Sequence, residues 1–373
     1  MRKKGWMTAA ALLLVCVGTA CSGTTEEKPE RTVLFVIDGM VSGLHERVDM
    51  PAFSALAGEG VLYKEVYLPL PAHPDSSAVY PWSCSIPNPV LMSGTIFIGQ
   101  AGVRQNLIQQ SFTGRPTAFV VNSPSYTAIR DGFTIYRQLP KGRFDPVFPD
   151  SASVNVAKEI ITANNPEFIR IHCQGLGGAG SICRQPDKPY TNDIWHAESP
   201  YRIQARHIDS LLGAFVQWLK DENLWDGTVL MVMGDHGQAD GGWHPPYEPG
   251  GNVTQLLVAG KGIRQGMTIP YAEIIDVAPT IAWLQRVETS KFSNGRVLKE
   301  LIGGEVPVVP HRMQELDSLL TACRRLGADT LDDEAPRIEL IGRWHEGSQG
   351  SNYPAFVEAQ ARYLDRFGQR SGE

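Results

Sequence analysis

Apolar positions along this chain fall into short runs that stop abruptly at glycine or at a charge. The clearest is VLMVM (229–233), five apolar residues followed at once by Gly234, Asp235, His236 and Gly237. A run of that length bounded by glycine predicts a strand buried on both faces, as in a parallel sheet. TVLFVIDGM (32–40) has the same grammar: an apolar strand, then Asp38 and Gly39. Further runs predict strands over 61–68, 117–121 and 168–173. Helical spacing predicts helices over 50–60 (with Pro51 at its start), 151–163, 200–220 and 272–284. In the 200–220 helix, Ile203, Ile208, Leu211, Leu212, Phe215 and Leu219 form a stripe expected to pack on the sheet, with Asp209 as a structural residue on it. Strands alternating with helices predict an α/β fold, a three-layer sandwich with a mainly parallel central sheet.

Ligands of open α/β sheets bind beyond the carboxyl ends of the strands. Two strands that each end in an acid bring Asp38 and Asp235 to one edge, and His236 comes with them. Carboxylates beside an imidazole suit a divalent cation. An isolated Asp-His pair at a strand end reads first as a helix cap; the second strand-end acid favours the cation. In SCSIPNPVLMSG (83–94), Pro87 is placed to open a helix with Ser85 just ahead of it. Ser85 there reads as an N-cap. It also reads as a nucleophile, because a helix N-terminus attracts anions and a nearby cation lowers the hydroxyl pKa. His73 and Asp75 read as surface loop residues, and His172 as a core histidine.

Strand-Asp38-Gly39, Ser85 in Ser-x-Pro-Asn and Gly-Asp235-His236-Gly237, in this order, resemble the alkaline phosphatase superfamily, in its type I phosphodiesterase/nucleotide pyrophosphatase branch. Supporting segments are GQAGVRQN (99–106), VAGKGI (258–263) and IDVAPTI (275–281). The resemblance runs over 31–303. It implies a metal-dependent hydrolase of phosphate esters, with phosphodiesters or pyrophosphates favoured, acting on a small phosphorylated substrate through a phosphoseryl enzyme. Ser85 would attack and Asn106 would donate to the phosphoryl oxygens. Asp38, Asp235 and His236 would hold zinc, one or two ions, with manganese or calcium as alternatives. In the two-metal branch an Asp, and a His four residues on, follow the strand that ends near 173. Gly175 and Ala179 stand there in this chain. Asp193, His196 and His244 are the candidates to fill that vacancy; Gly241 and Gly242 would let His244 fold back. Otherwise the enzyme runs on one metal. The competing readings are a sulfatase or phosphomonoesterase of the same superfamily, and an exported binding protein without catalysis. Pro89 stands where a sulfatase carries arginine, which sets that reading second.

Composition narrows the setting. With 373 residues, 42% apolar and 20% charged, the chain suits one large α/β domain with an appendage. A net charge of −6 argues against a nucleic-acid scaffold held by bulk charge. A basic head (Arg2, Lys3, Lys4) and an apolar stretch over 7–17 read as an export signal. Cys21 resembles a bacterial lipobox cysteine, which would make a lipid anchor the one membrane attachment. Gly18 in place of the usual leucine leaves ordinary signal cleavage as the alternative. The expected plan is a signal over 1–21, a tether over 22–30, the hydrolase domain over 31–303 and a helical extension over 304–373. The extension would hold helices over 311–325 and 354–366. Export to a bacterial periplasm or envelope permits disulfides. Among Cys84, Cys173, Cys183 and Cys323, the pair 173–183 is the first candidate.

Overall fold

The computed structural model describes residues 27–68, 107–139, 150–244, 248–289, 293, 295–307, 313–314, 317–318 and 321. Its strands are β1 Arg31–Ile37, β2 Gly60–Tyr67, β3 Thr117–Val121, β4 Ile135–Gln138, β5 Phe168–Cys173, β6 Thr228–Met233, β7 Val253–Gly260 and β8 Met267–Glu273. The helices of eight residues or more are α1 Pro51–Gly58, α2 Asp150–Asn164, α3 Gly175–Ile182, α4 Pro200–Asp221 and α5 Val277–Gln285.

The strands form one sheet in the order β4-β3-β5-β1-β6-β7-β2-β8. β3, β4, β5, β1 and β6 run parallel, so their carboxyl ends share an edge. β7 is antiparallel to both its neighbours, and β8 joins β2 in parallel. All seven positions of β1 are buried. Successive side chains of a strand alternate between faces. Val33, Phe35 and Ile37 accordingly pack with Phe53 of α1, Ala157 of α2, Leu176 of α3, and Leu212 and Phe215 of α4. Leu34 and Val36 pack on the other face with Ile281 of α5. These are the layers of the expected sandwich.

Asp209 has the structural role expected of it. Its carboxylate accepts from Phe53 N at 2.8 Å and Ala52 N at 3.1 Å, capping α1 from a neighbouring helix. Three expectations need correction. Ile203 is 53% exposed and does not belong to the buried stripe of α4. The helix expected over 272–284 begins only at Val277, because Ala272 and Glu273 pair with Val66 and Tyr67 as the end of β8. Cys173 and Cys183 are both buried free thiols. Cys173 closes β5, and α3 then carries the chain to Cys183, whose Sγ lies 3.4 Å from Ala179 O and 3.7 Å from Ser199 Oγ. Cys84, Cys323 and the helix expected over 354–366 lie outside the described residues. The described residues within 311–325 are helical, and Tyr67 Oη lies 2.7 Å from Asp317 Oδ1.

Candidate metal centre

The site is built where β3, β5, β1 and β6 end together. Asp38 follows β1, and its N–H donates to Cys173 O at 3.0 Å, the last residue of β5. Asp235 follows β6 by one glycine. Both acids are buried, at 5% and 0% exposure, and His236 is at 1%. The two expected acids and the imidazole therefore meet, although they lie far apart in the chain.

The contacts of the acids divide by oxygen atom. Asp235 Oδ1 accepts from Gly39 N at 3.1 Å and His236 N at 3.0 Å. Gly39 makes this turn with φ +67°, a conformation that glycine adopts without strain. Tyr126 Oη, from the turn after β3, lies 2.7 Å from Asp38 Oδ2 and 2.9 Å from Asp235 Oδ2. His172 Nε2 lies 3.5 Å and 3.7 Å from the same two atoms. His236 Nε2 approaches the other side, 3.8 Å from each Oδ1. Among the described residues, Asp38, His172 and Asp235 form a group with ligand atoms within 4.8 Å of one another.

His236 meets the requirement for a ligand. Its Nδ1 is 2.7 Å from Gly237 O, which can only accept, so Nδ1 carries the proton and Nε2 keeps a lone pair. Ligand atoms about 2.1 Å from a tetrahedral zinc stand roughly 3.4 Å apart, close to the spacing found here. Two buried like charges also call for a countercharge. The donor set therefore fits a divalent cation.

His244 reaches this centre. Its ring lies 4.2 Å from that of His236, centroid to centroid, on a loop in which Gly242 and Trp243 have φ +87° and +62°. Asp193 and His196 are not brought to it. Asp193 Oδ1 accepts from Trp195 N and His196 Nδ1 from Glu198 N, which ties both into the turns before α4. Ser85 and Asn106 lie outside the described residues. A cavity of about 490 Å³ opens beside the His244 loop, between Arg184, Asn192, Asp240 and Glu248.

The place of the missing Asp and His is occupied by the backbone of α3. A Cβ on Gly175 would stand 2.1 Å from Asp150 Oδ2 and 2.4 Å from Gln204 Nε2. Asp150 is fully buried and accepts from Asn122 Nδ2, Gly175 N and Gln204 Nε2. Burial pushes its carboxyl up to about 6. The folded chain then holds a proton that the unfolded chain has already lost. Stability contributed by this group is therefore present at low pH and is lost as pH rises towards about 6. We expect the wild type to lose more stability than Asp150→Asn between pH 4.5 and 6.5, read as urea midpoints; parallel slopes would remove Asp150 as the cause.

Sequence reasoning set His172 aside as core and passed over Tyr126 and Arg170. Arg170 and His172 are two residues apart on β5 and so share a face. That alternation of charged and polar residues in an otherwise apolar strand was the available signal.

The Sulfatase family model matches residues 105–285. GPI ethanolamine phosphate transferase 2 of Debaryomyces hansenii is 28% identical over 124 residues, 30% of this chain and 14% of that protein. The matched segments span a fifth or less of the curated relatives. A 2-O GAG sulfatase superposes with TM-score 0.61 at 15% identity, covering 75% of each chain. Murine ectonucleotide pyrophosphatase/phosphodiesterase 5 superposes with TM-score 0.57 at 12% identity, covering 73% of this chain and all of that one. The family match over 105–285 and the fold shared with these solved structures are consistent with the resemblance to the alkaline phosphatase superfamily.

Proposed function

We propose that this chain is a cation-dependent hydrolase of phosphate esters, with phosphodiesters or pyrophosphates as substrates. Ser85 is the nucleophile, and Asp38, Asp235 and His236 are the cation ligands. The observation that carries this reading is the His236 Nε2 lone pair facing both Oδ1 atoms at 3.8 Å in a buried pocket. A bound divalent cation supplies positive charge to oxygen atoms that become anionic and favours an ionised hydroxyl beside it. Zinc suits the imidazole donor; manganese and calcium suit the carboxylates.

The chain's own residues do the rest. Asp38 and Asp235 are held by donors at Oδ2, and Asp235 also at Oδ1, so their orientation is set before substrate arrives. His244, whose ring is tilted against that of His236, serves as a ligand or contacts the substrate. The cavity beside it has room for the part of the substrate that is not transferred. Asn106 donates to the phosphoryl oxygens. Ser85, having lost its hydroxyl proton, attacks phosphorus as the ester P–O bond breaks and the leaving group departs with a proton as the alcohol; water then attacks phosphorus, the Ser85 O–P bond breaks, and the serine hydroxyl is restored. The close approach of α3 to Asp38 at Gly177 supports one cation per chain. Export and attachment through Cys21 complete the proposal.

A second reading is sulfate ester hydrolysis, supported by the family match over 105–285. Metal-stripped protein should be assayed on nitrophenyl phosphodiester, phosphomonoester and sulfate, before and after addition of zinc, manganese or calcium. We expect diester turnover that depends on the cation and falls at least about a thousandfold in Ser85→Ala. Sulfate turnover without diester turnover establishes the second reading. A bound cation with no turnover of any ester leaves the exported binding protein.

A further inference from the structure

The acid pair has two faces, and the residues on them differ in kind. One face gathers Asp38, His172 and Asp235 within 4.8 Å, which by distance alone makes His172 a cation ligand. The hydrogen bonds say otherwise. Arg170 Nη2 is 2.6 Å from His172 Nδ1, and a guanidinium has only donors. His172 Nδ1 is therefore the acceptor, and the proton of the neutral ring sits on Nε2. That N–H points at Asp38 Oδ2 and Asp235 Oδ2. A nitrogen that carries a proton has no lone pair to give a cation. His236 is in the opposite tautomer, because its Nδ1 faces a carbonyl that can only accept.

Arg170 is held where this requires it. It is fully buried, with its guanidinium 5.1 Å from the ring of Phe119 and 5.6 Å from that of Tyr126. The Tyr126 and His172 rings lie 4.0 Å apart. Tyr126 supplies a second donor to the Oδ2 atoms. Because Nδ1 must accept from the Arg170 guanidinium, the ring carries a single proton and is neutral.

We propose that Arg170, His172 and Tyr126 form a donor floor beneath the acid pair, in which His172 is an Nε2–H donor that positions the carboxylates and is not a cation ligand. The proposal rests on the reading of the site as a cation centre. It assigns the Oδ2 atoms to the floor and Asp38 Oδ1, with His236 Nε2, to the cation, towards which Asp235 contributes its charge. His172 is thus a positioning residue, and Arg170 fixes its tautomer.

The test is nitrogen-15 NMR of histidine-labelled protein, metal-free and then loaded with cadmium-113. We expect His172 to keep its Nε2 proton in both states, with no coupling to cadmium, and His236 to couple through Nε2. A proton on His172 Nδ1, or cadmium coupling at His172, overturns the proposal. Cadmium titrations add a second readout. His172→Gln keeps a donor and should hold affinity within about threefold, while His172→Leu should lower it about 10- to 100-fold. Equal loss in both variants, matching His236→Ala, makes His172 a ligand. The wild-type spectra need no variant to fold. A protein that binds no cadmium ends the cation reading, while the metal-free spectrum still decides the tautomer.

Discussion

Asp235→Asn should lose the cation and yet fold at least as stably as the metal-free wild type. The substitution removes one of two buried like charges, and most of its hydrogen bonds survive. An asparagine Oδ1 still accepts from Gly39 N and His236 N. Its Nδ2 would face the Tyr126 hydroxyl, which can turn to accept. What it cannot supply is the second negative charge. We expect cation affinity to drop at least a hundredfold, about 2.7 kcal/mol, and ester turnover to drop at least about a thousandfold. Linkage separates this from simple misfolding. A cation at about 100 times its wild-type Kd stabilises the wild type by about 2.7 kcal/mol and the variant by no more than about 0.4 kcal/mol. Melting curves with and without cation should therefore cross: the variant is level or ahead in chelator, and the wild type is ahead in cation. A variant that keeps one cation per chain on elemental analysis removes Asp235 from the ligand set.

What could be read from the sequence follows from this layout. β1 and β6 are apolar runs that end in an acid, and a parallel sheet puts both ends at one edge; nothing beyond periodicity was needed to bring Asp38 to Asp235. The stripe on α4 was legible for the same reason, except at Ile203, where helical phase alone does not say how wide the covered face is. The floor of the site was not legible. Tyr126 reaches the acids from a short turn after β3, a contact set by tertiary packing rather than by a local pattern. His172 looks like any apolar-strand histidine until Arg170 is seen to fix its tautomer. α3 was the largest miss. Gly175–Ile182 contains four glycines, each roughly 1 kcal/mol poorer than alanine in a helix, so it reads as a loop. It is helical because tertiary contacts override propensity, and it is glycine-rich because Asp150, Asp38 and Gln238 lie against its backbone.

Gly177→Ala puts that explanation to the test. A Cβ at Gly177 would stand 1.7 Å from Asp38 Oδ1 and 2.7 Å from its Cγ. One of the two must move, and both are held. Asp38 Oδ2 is engaged by Tyr126 and His172, and Asp38 N by Cys173 O. α3 is fixed by the Gly175 N–H on Asp150 and by Gly180, where a Cβ would meet Gln238 at 2.6 Å. Overpacking of this kind costs about 1–3 kcal/mol, more than the gain from replacing a helical glycine. Gly58→Ala is the control: Gly58 ends α1 with nothing within 4 Å of an added Cβ, so it should be neutral or stabilising by up to about 1 kcal/mol. Because the clash falls on the oxygen assigned to the cation, Gly177→Ala should lower cation affinity at least about tenfold even under conditions where the variant remains folded. A Gly177→Ala protein that matches Gly58→Ala in urea midpoint and cation titration would show that α3 does not press on Asp38, and would reopen that side of the acid pair to a second ion.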